Sequence, residues 1–177
     1  KGKKMKLVLI TIKIIFLLSH SFAANFEVTM TGKAEYPYFK EYEKDKIFLL
    51  YKNEAQYTTN TAMFGSQFGA ASIEFIDGKQ TQNLFSTWKD SYGNEGYFKS
   101  VPSKVKKIKG NILGDRVGSN VASFICIGGE GPFEELAGIV FLGAYLEMEE
   151  GHFIWKGKAN ISDKAFNAIN NYVKVKE

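Results

Sequence analysis

Short runs of β-favouring residues, each closed by a turn signal, recur along most of this chain. Phe26 to Thr31 alternates apolar with polar residues and is followed by Gly32, and Ala70 to Ile76 is followed by Asp77-Gly78. Strict alternation is typical of a half-buried strand, and Asp-Gly favours a two-residue hairpin turn because both positions tolerate positive φ. We therefore expect about eight or nine strands in a meandering antiparallel sheet.

The other predicted strands follow the same rhythm, and several have features of a small barrel. Val121 to Ile127 is apolar on both faces, which suits a strand that lines a barrel while its outside is also covered. Glycines such as Gly143 interrupt another run, as at the corners of a barrel. Tyr38 to Lys46 is highly charged and predicts either a short helix or a loop. The remaining β-rich runs, from which these strands are expected, are Ile47 to Tyr51, Gln56 to Phe64, Gln80 to Lys89, Tyr97 to Val101, Lys104 to Leu113, Val117 to Ile127, Leu136 to Met148 and Phe153 to Ile161.

One segment, about residues 162–174, predicts an α-helix. Ser162 is a suitable N-cap, and Phe166, Ile169 and Val173 lie on one stripe at helical spacing. A terminal helix that covers an apolar patch is favoured over a membrane-surface helix, because the polar face carries asparagines rather than a band of lysines.

The first 24 residues have the pattern of a secretory signal peptide. Lys6 leads into an apolar run from Leu7 to Leu18, and small residues that suit a signal peptidase follow at Ser21, Ala23 and Ala24. Cleavage is favoured over a retained membrane anchor, because the run is shorter than the roughly 20 residues that span a bilayer and contains Lys13.

Cleavage after Ala23 or Ala24 would leave a single domain over residues 25–177, with the barrel at about 26–161. We expect this domain to be periplasmic or secreted, with no contact to a membrane after the signal is removed.

The leader also carries the excess of basic charge. Five of the 23 lysine and arginine residues and none of the 19 acids precede Asn25, which leaves 18 basic against 19 acidic residues. A nearly neutral domain lacks the single-sign field that nucleic-acid binding requires, so no nucleic-acid partner is expected. The basic run from Lys104 to Lys109 is interpreted as a solvated face rather than a polyanion site.

Catalytic and metal-binding groups are scarce in this sequence. Cys126 is the only cysteine and lies among apolar residues without a neighbouring base or cation, which favours a buried thiol over a nucleophile. After the leader, His152 is the one histidine, and a turn histidine is favoured over a catalytic base. No carboxylate cluster has calcium-loop spacing. We expect no metal and no cofactor, and we assign no catalytic residue.

Aromatic residues are abundant on the predicted strands, and two interpretations of them stay open. They could line an internal cavity that stacks on a small hydrophobic molecule, or they could be plain core, which is the more frequent role of aromatic residues on strands. The candidate cavity residues are Trp88, Phe124, Phe141, Tyr145 and Trp155.

The segment from Gly128 to Gly138, GGEGPFEELAG, is the most distinctive motif of the chain. Glycines allow a tight connection between strands, and Phe133 can fold inward to cap the barrel. The segment lacks the Lys-Ser/Thr pair of a phosphate-binding loop and opens onto no predicted helix. The motif residues are Gly128, Gly129, Gly131, Phe133 and Gly138.

These residues resemble the Gly-Gly-x-Gly-x-Phe-x-x-x-x-Gly signature of plant allene oxide cyclases, dirigent proteins and their bacterial barrel relatives. The strand before the motif and the aromatic strand pair after it, Ile139 to Glu147 and Phe153 to Ala159, are similar to the same group. The resemblance implies a closed, calycin-like antiparallel barrel of about eight strands. It also implies an apolar interior that holds a small hydrophobic molecule or guides its cyclisation.

Two functions from different classes stay open. The first is a secreted barrel that binds a small apolar ligand or serves as a non-catalytic interaction module. The second is an isomerase or cyclase acting on a confined hydrophobic substrate, which only the resemblance suggests. An open pocket with inward polar groups would favour catalysis, and a packed aromatic interior would favour a structural role. A homo-oligomer is possible, because strands apolar on both faces suit association through the outer wall.

Overall fold

The computed structural model describes residues 23–76, 79–101 and 120–176. The predicted leader up to residue 22, the Asp77-Gly78 turn, and the predicted strand from Lys104 to Leu113 with its basic run lie outside these ranges. Ala23 and Ala24, the two residues beside the predicted cleavage site, belong to the first strand.

The described residues form eight strands and a terminal α-helix. The strands are β1 (Ala23–Glu43), β2 (Lys46–Thr59), β3 (Phe64–Ile76), β4 (Lys79–Asp90), β5 (Glu95–Ser100), β6 (Asn120–Gly129), β7 (Val140–Glu147) and β8 (His152–Ser162), and the helix is α1 (Asp163–Lys176). Each strand pairs antiparallel with the next, and β8 returns to β1 over the register from Ala23↔Ser162 to Lys33↔His152. The predicted closed antiparallel barrel of eight strands is therefore confirmed.

The terminal helix begins where its cap was predicted. The backbone N–H of Ala165 donates to Oγ of Ser162 at 3.1 Å, which satisfies one of the free donors of the first turn. Ile169 is fully buried and Ala165 nearly so, so this stripe of the helix packs against the barrel.

The prediction of a helix or loop at Tyr38 to Lys46 is wrong. β1 continues to Glu43, turns through Lys44 and Asp45, and pairs with β2 from Lys46 onward. A register shift between Glu35 and Tyr38 adds one residue to β1, and Pro37, which cannot donate to a ladder, lies within it. Pairing with β2 outweighs the preference of the charged local sequence for a helix or loop. β2 joins the predicted run Ile47 to Tyr51 to the first part of the run Gln56 to Phe64, which ends at Thr59, and Phe64 begins β3.

Aromatic side chains fill the barrel interior. Trp155 lies over Gly143 and Gly157, which face each other on β7 and β8, and a Cβ at either glycine would overlap its indole. The two glycines therefore provide the volume that the indole occupies. The largest fully buried aromatic residues are Phe26, Tyr57, Trp88, Phe98, Phe133, Phe141, Phe153 and Trp155.

The glycine motif closes one end of the barrel. A 3₁₀ helix, Gly131–Leu136, follows β6 and inserts Phe133 against Phe98, with ring centroids 6.2 Å apart. A Cβ at Gly96 or Gly129 would overlap Phe133, so both glycines are needed for this insertion. Cys126 is fully buried beside it, as predicted.

The opposite end continues as a projecting sheet. β1 pairs with β8 only as far as Lys33, and β4 pairs with β5 only from Phe85 onward. Beyond these residues β1 to β4 pair among themselves, and we call residues 35–43, 46–52, 70–76 and 79–84 the projecting sheet. Among the described residues, the wall therefore extends further on the β1–β4 side.

Candidate functional site

Four of the five predicted cavity residues contact one another inside the barrel. Ring centroids are 6.3 Å apart for Trp88 and Phe141, 6.3 Å for Trp88 and Trp155, and 5.3 Å for Phe124 and Trp155. Trp88, Phe141 and Trp155 are at most 2% exposed. These rings therefore pack against one another in the described interior. Their role as ligand contacts stays a prediction.

Tyr145, the fifth predicted residue, belongs to a polar group at the projecting-sheet end. Its hydroxyl lies 3.5 Å from that of Tyr51, and its ring stacks on Phe153 with centroids 5.2 Å apart. Tyr36 donates a hydrogen bond from its hydroxyl to the Glu147 carboxylate, and its ring lies 5.6 Å from that of Tyr51. We call Tyr36, Tyr51, Tyr145 and Glu147 the tyrosine cluster.

The strand order explains why these four side chains meet. Tyr145 and Glu147 are two residues apart on β7 and so point to the same face. β8 separates β7 from β1 but starts only at His152, so Tyr36 reaches across the beginning of β8 to Glu147. The cluster therefore ties β1, β2 and β7 together across the end of the barrel.

The three phenols of the cluster are held in the protonated form. Burial raises the pKa of Tyr51 to about 12. Burial, with a further contribution from the hydrogen bond to Glu147, raises the pKa of Tyr36, and burial and the neighbouring Tyr51 raise that of Tyr145. At neutral pH these groups act as hydrogen-bond donors, and they are not bases.

A second candidate site lies on the outside of the wall. A groove of about 450 Å³ crosses β1 to β5, within the range of roughly 300–1,000 Å³ typical of small-molecule sites. Strand register places its outward side chains in two rows. The first row is Thr31, Gln56, Ser66, Lys89 and Glu95, and the second includes Glu54, Phe68 and Thr87. We call these eight residues the outer-wall groove.

Two glycines lie on the inner side of the wall next to the groove residues. Gly32 lies so close to β2 that a Cβ would overlap the Glu54 carbonyl, and a Cβ at Gly65 would overlap the Lys89 carbonyl. Glycines that permit such close approach of two backbones mark sharply bent strands. The outer side chains consequently surround a depression.

The hydrogen-bonding side chains of the groove are largely unused by the fold. In residues 23–76 and 79–101, no side-chain hydrogen bond involves Thr31, Gln56, Ser66 or Thr87. Lys89 and Glu95 form an exposed ion pair at 3.7 Å, and Phe68 is 51% exposed. The groove therefore offers hydroxyl, amide and charged groups around one aromatic ring.

Sequence reasoning missed both the tyrosine cluster, apart from Tyr145, and the groove. Tyr36 lies in the segment assigned to no strand, so its position was not predictable from alternation. The groove residues come from five strands, and at outward positions such residues are indistinguishable from an ordinary solvated face. Phe68, an aromatic residue at an outward position between Gln67 and Gly69, was the one available signal.

Two further features of the described residues bear on the site. No group of three or more histidine, cysteine or acidic residues in the described ranges could hold a metal ion. Among the same residues, no helix has the length and apolarity needed to cross a membrane.

No protein-family model matches the chain, and comparison with curated proteins and with solved structures returns no match either.

Proposed function

We propose that the protein is a non-catalytic binding module, in which a packed barrel supports a ligand site on its outer wall. The observation that carries this proposal is the groove of about 450 Å³, in which the hydroxyl and amide side chains of Thr31, Gln56, Ser66 and Thr87 have no hydrogen-bond partner in the described chain. The paired strands hold the backbone of these residues in place, which lowers the entropy lost on binding. Because aromatic side chains pack the interior, we favour this binding module over a carrier that encloses an apolar ligand in the barrel.

A fragment screen by NMR tests this function without a known ligand. The full chain is titrated with a library of small polar and aromatic fragments, and we expect hits that shift the backbone amides of Gln56, Ser66 and Lys89. Ser66→Trp fills the groove and should abolish these shifts. Glu74→Trp, at an outward position on the same strand but outside the groove, should leave them unchanged. Fragments that still shift these amides in Ser66→Trp would refute the proposal.

The tyrosine cluster is the one observation that favours the alternative, an isomerase for a small hydrophobic substrate. A carboxylate beside three phenols could accept a proton from a substrate that the phenols polarise. Extraction of the purified protein, followed by mass spectrometry, identifies any bound small molecule. Incubation of that compound with the native protein and with Glu147→Gln then decides the question. Conversion that Glu147→Gln abolishes would establish the isomerase, and recovery of unchanged compound would support the binding module.

A further inference from the structure

We propose that the outer-wall groove binds a neutral oligosaccharide, an inference that rests on the binding function proposed above. Sugar hydroxyls both donate and accept hydrogen bonds, and they need partners that can do the same. Thr31, Ser66 and Thr87 supply hydroxyls and Gln56 an amide, and all four lack a side-chain hydrogen bond in the described chain. Most of the groove is thus complementary to a polyhydroxylated ligand.

Phe68 supplies the second element of saccharide recognition. The face of an aromatic ring is electronegative, so it attracts the C–H groups on one face of a pyranose ring. Phe68 lies between Glu54 and Thr87 in the register, and half of its surface is exposed. A sugar ring stacked on Phe68 would therefore place its hydroxyls within reach of polar side chains on both neighbouring strands.

Charge and topology disfavour other ligands at this position. Glu54 and Glu95 outnumber the single cation Lys89, so the groove repels a phosphate backbone or an acidic glycan. The groove crosses strands that are all paired on both sides, so a peptide cannot add to the sheet by backbone hydrogen bonds. A purely apolar ligand would leave the polar side chains of both rows unpaired.

The test uses the full chain on an array of neutral, amino-substituted and sialylated oligosaccharides, with affinities of the hits measured by calorimetry. We expect binding to neutral members only. Phe68→Ala should weaken that binding by about tenfold or more, because it removes the stacking platform. Phe85→Ala is the matched control, since Phe85 is also more than half exposed on the outer wall but does not line the groove. It should change the affinity less than about twofold.

Three results would overturn the saccharide proposal: no binding to neutral oligosaccharides, preferential binding to acidic ones, or equal losses for Phe68→Ala and Phe85→Ala. A peptide library screened in parallel separates this failure from failure of the binding function. If no neutral oligosaccharide binds but peptides bind and Ser66→Trp abolishes their binding, the saccharide proposal fails and the groove remains a binding site. If neither library yields a ligand sensitive to Ser66→Trp, both proposals fall. Gln56→Ala provides a second variant of the groove. Because Gln56 is exposed, this substitution leaves the core untouched.

Discussion

Both faces of the barrel wall carry aromatic side chains, but these are buried on the inner face and exposed on the outer face. On β4, Trp88 points inward, is 2% exposed, and contacts Tyr57 and Phe98 with centroids 5.0 and 4.3 Å apart. Phe85 on the same strand points outward and is 62% exposed. Inner aromatic residues are committed to the fold, whereas outer ones contribute little to it. The difference separates residues that maintain the barrel from residues that the fold leaves exposed.

The strongest test of this contrast replaces one aromatic residue on each face of β4. Trp88→Ala removes a buried indole and leaves a cavity, so we expect it to lower the free energy of unfolding by about 3–5 kcal/mol. Phe85→Ala should change it by less than about 0.5 kcal/mol. Urea unfolding followed by circular dichroism measures both. Similar losses for the two variants would mean that the outer wall is also packed.

Alternation in the sequence predicted most of the strands and their buried faces, but it missed the continuation of β1 to Glu43. The closed barrel was suggested by the glycine-interrupted runs and by the family resemblance. The capped helix was equally accessible, because Ser162 and the stripe containing Ile169 act locally. The same pattern could not decide whether Trp88 and Trp155 line a cavity or fill one. That outcome depends on Gly143 and Gly157 lying opposite each other, which is a matter of register between strands.

The candidate surfaces were the least predictable part. Thr31 and Glu95 lie at the two ends of one row only because four successive strand pairings align them. A single-residue change in any of these registers would move a side chain to the other face. Chemistry that is assembled across strands is therefore hidden from an analysis of each strand alone, whereas chemistry within one segment, such as the glycine motif, is visible.

The pH dependence of two tyrosines sharpens the comparison. Both have a raised pKa, but burial is the main cause at Tyr51, whose pKa rises to about 12, whereas a hydrogen bond to Glu95 is the main cause at Tyr97 on the outer face. Salt screens an exposed carboxylate but does not change burial. In an absorbance titration, the transition that disappears in Tyr97→Phe belongs to Tyr97, and 1 M NaCl should lower its apparent pKa. The transition that disappears in Tyr51→Phe belongs to Tyr51, and the salt should leave its apparent pKa unchanged.

Tyr51 also makes stability depend on pH. Its folded pKa lies above the unfolded value of about 10, so its contribution is complete below pH 10 and is lost as the pH rises toward 12. The free energy of unfolding should fall by roughly 2–3 kcal/mol over that interval through this residue. Urea unfolding at pH 9 to 12 measures the slope, and Tyr51→Phe should reduce it. An unchanged slope would show that Tyr51 is not desolvated in solution.

The smallest expected effect concerns Lys89, which follows Trp88 on β4 and points to the opposite face. Its ion pair with Glu95 spans 3.7 Å and both side chains are well exposed, so Lys89→Ala should change the free energy of unfolding by less than about 1 kcal/mol. The same urea assay measures this change. A larger loss would mean that the groove side chains stabilise the barrel and are not free for a ligand. A small loss of stability for Lys89→Ala, together with a large loss for Trp88→Ala, would instead show that two adjacent residues of β4 contribute very differently to folding.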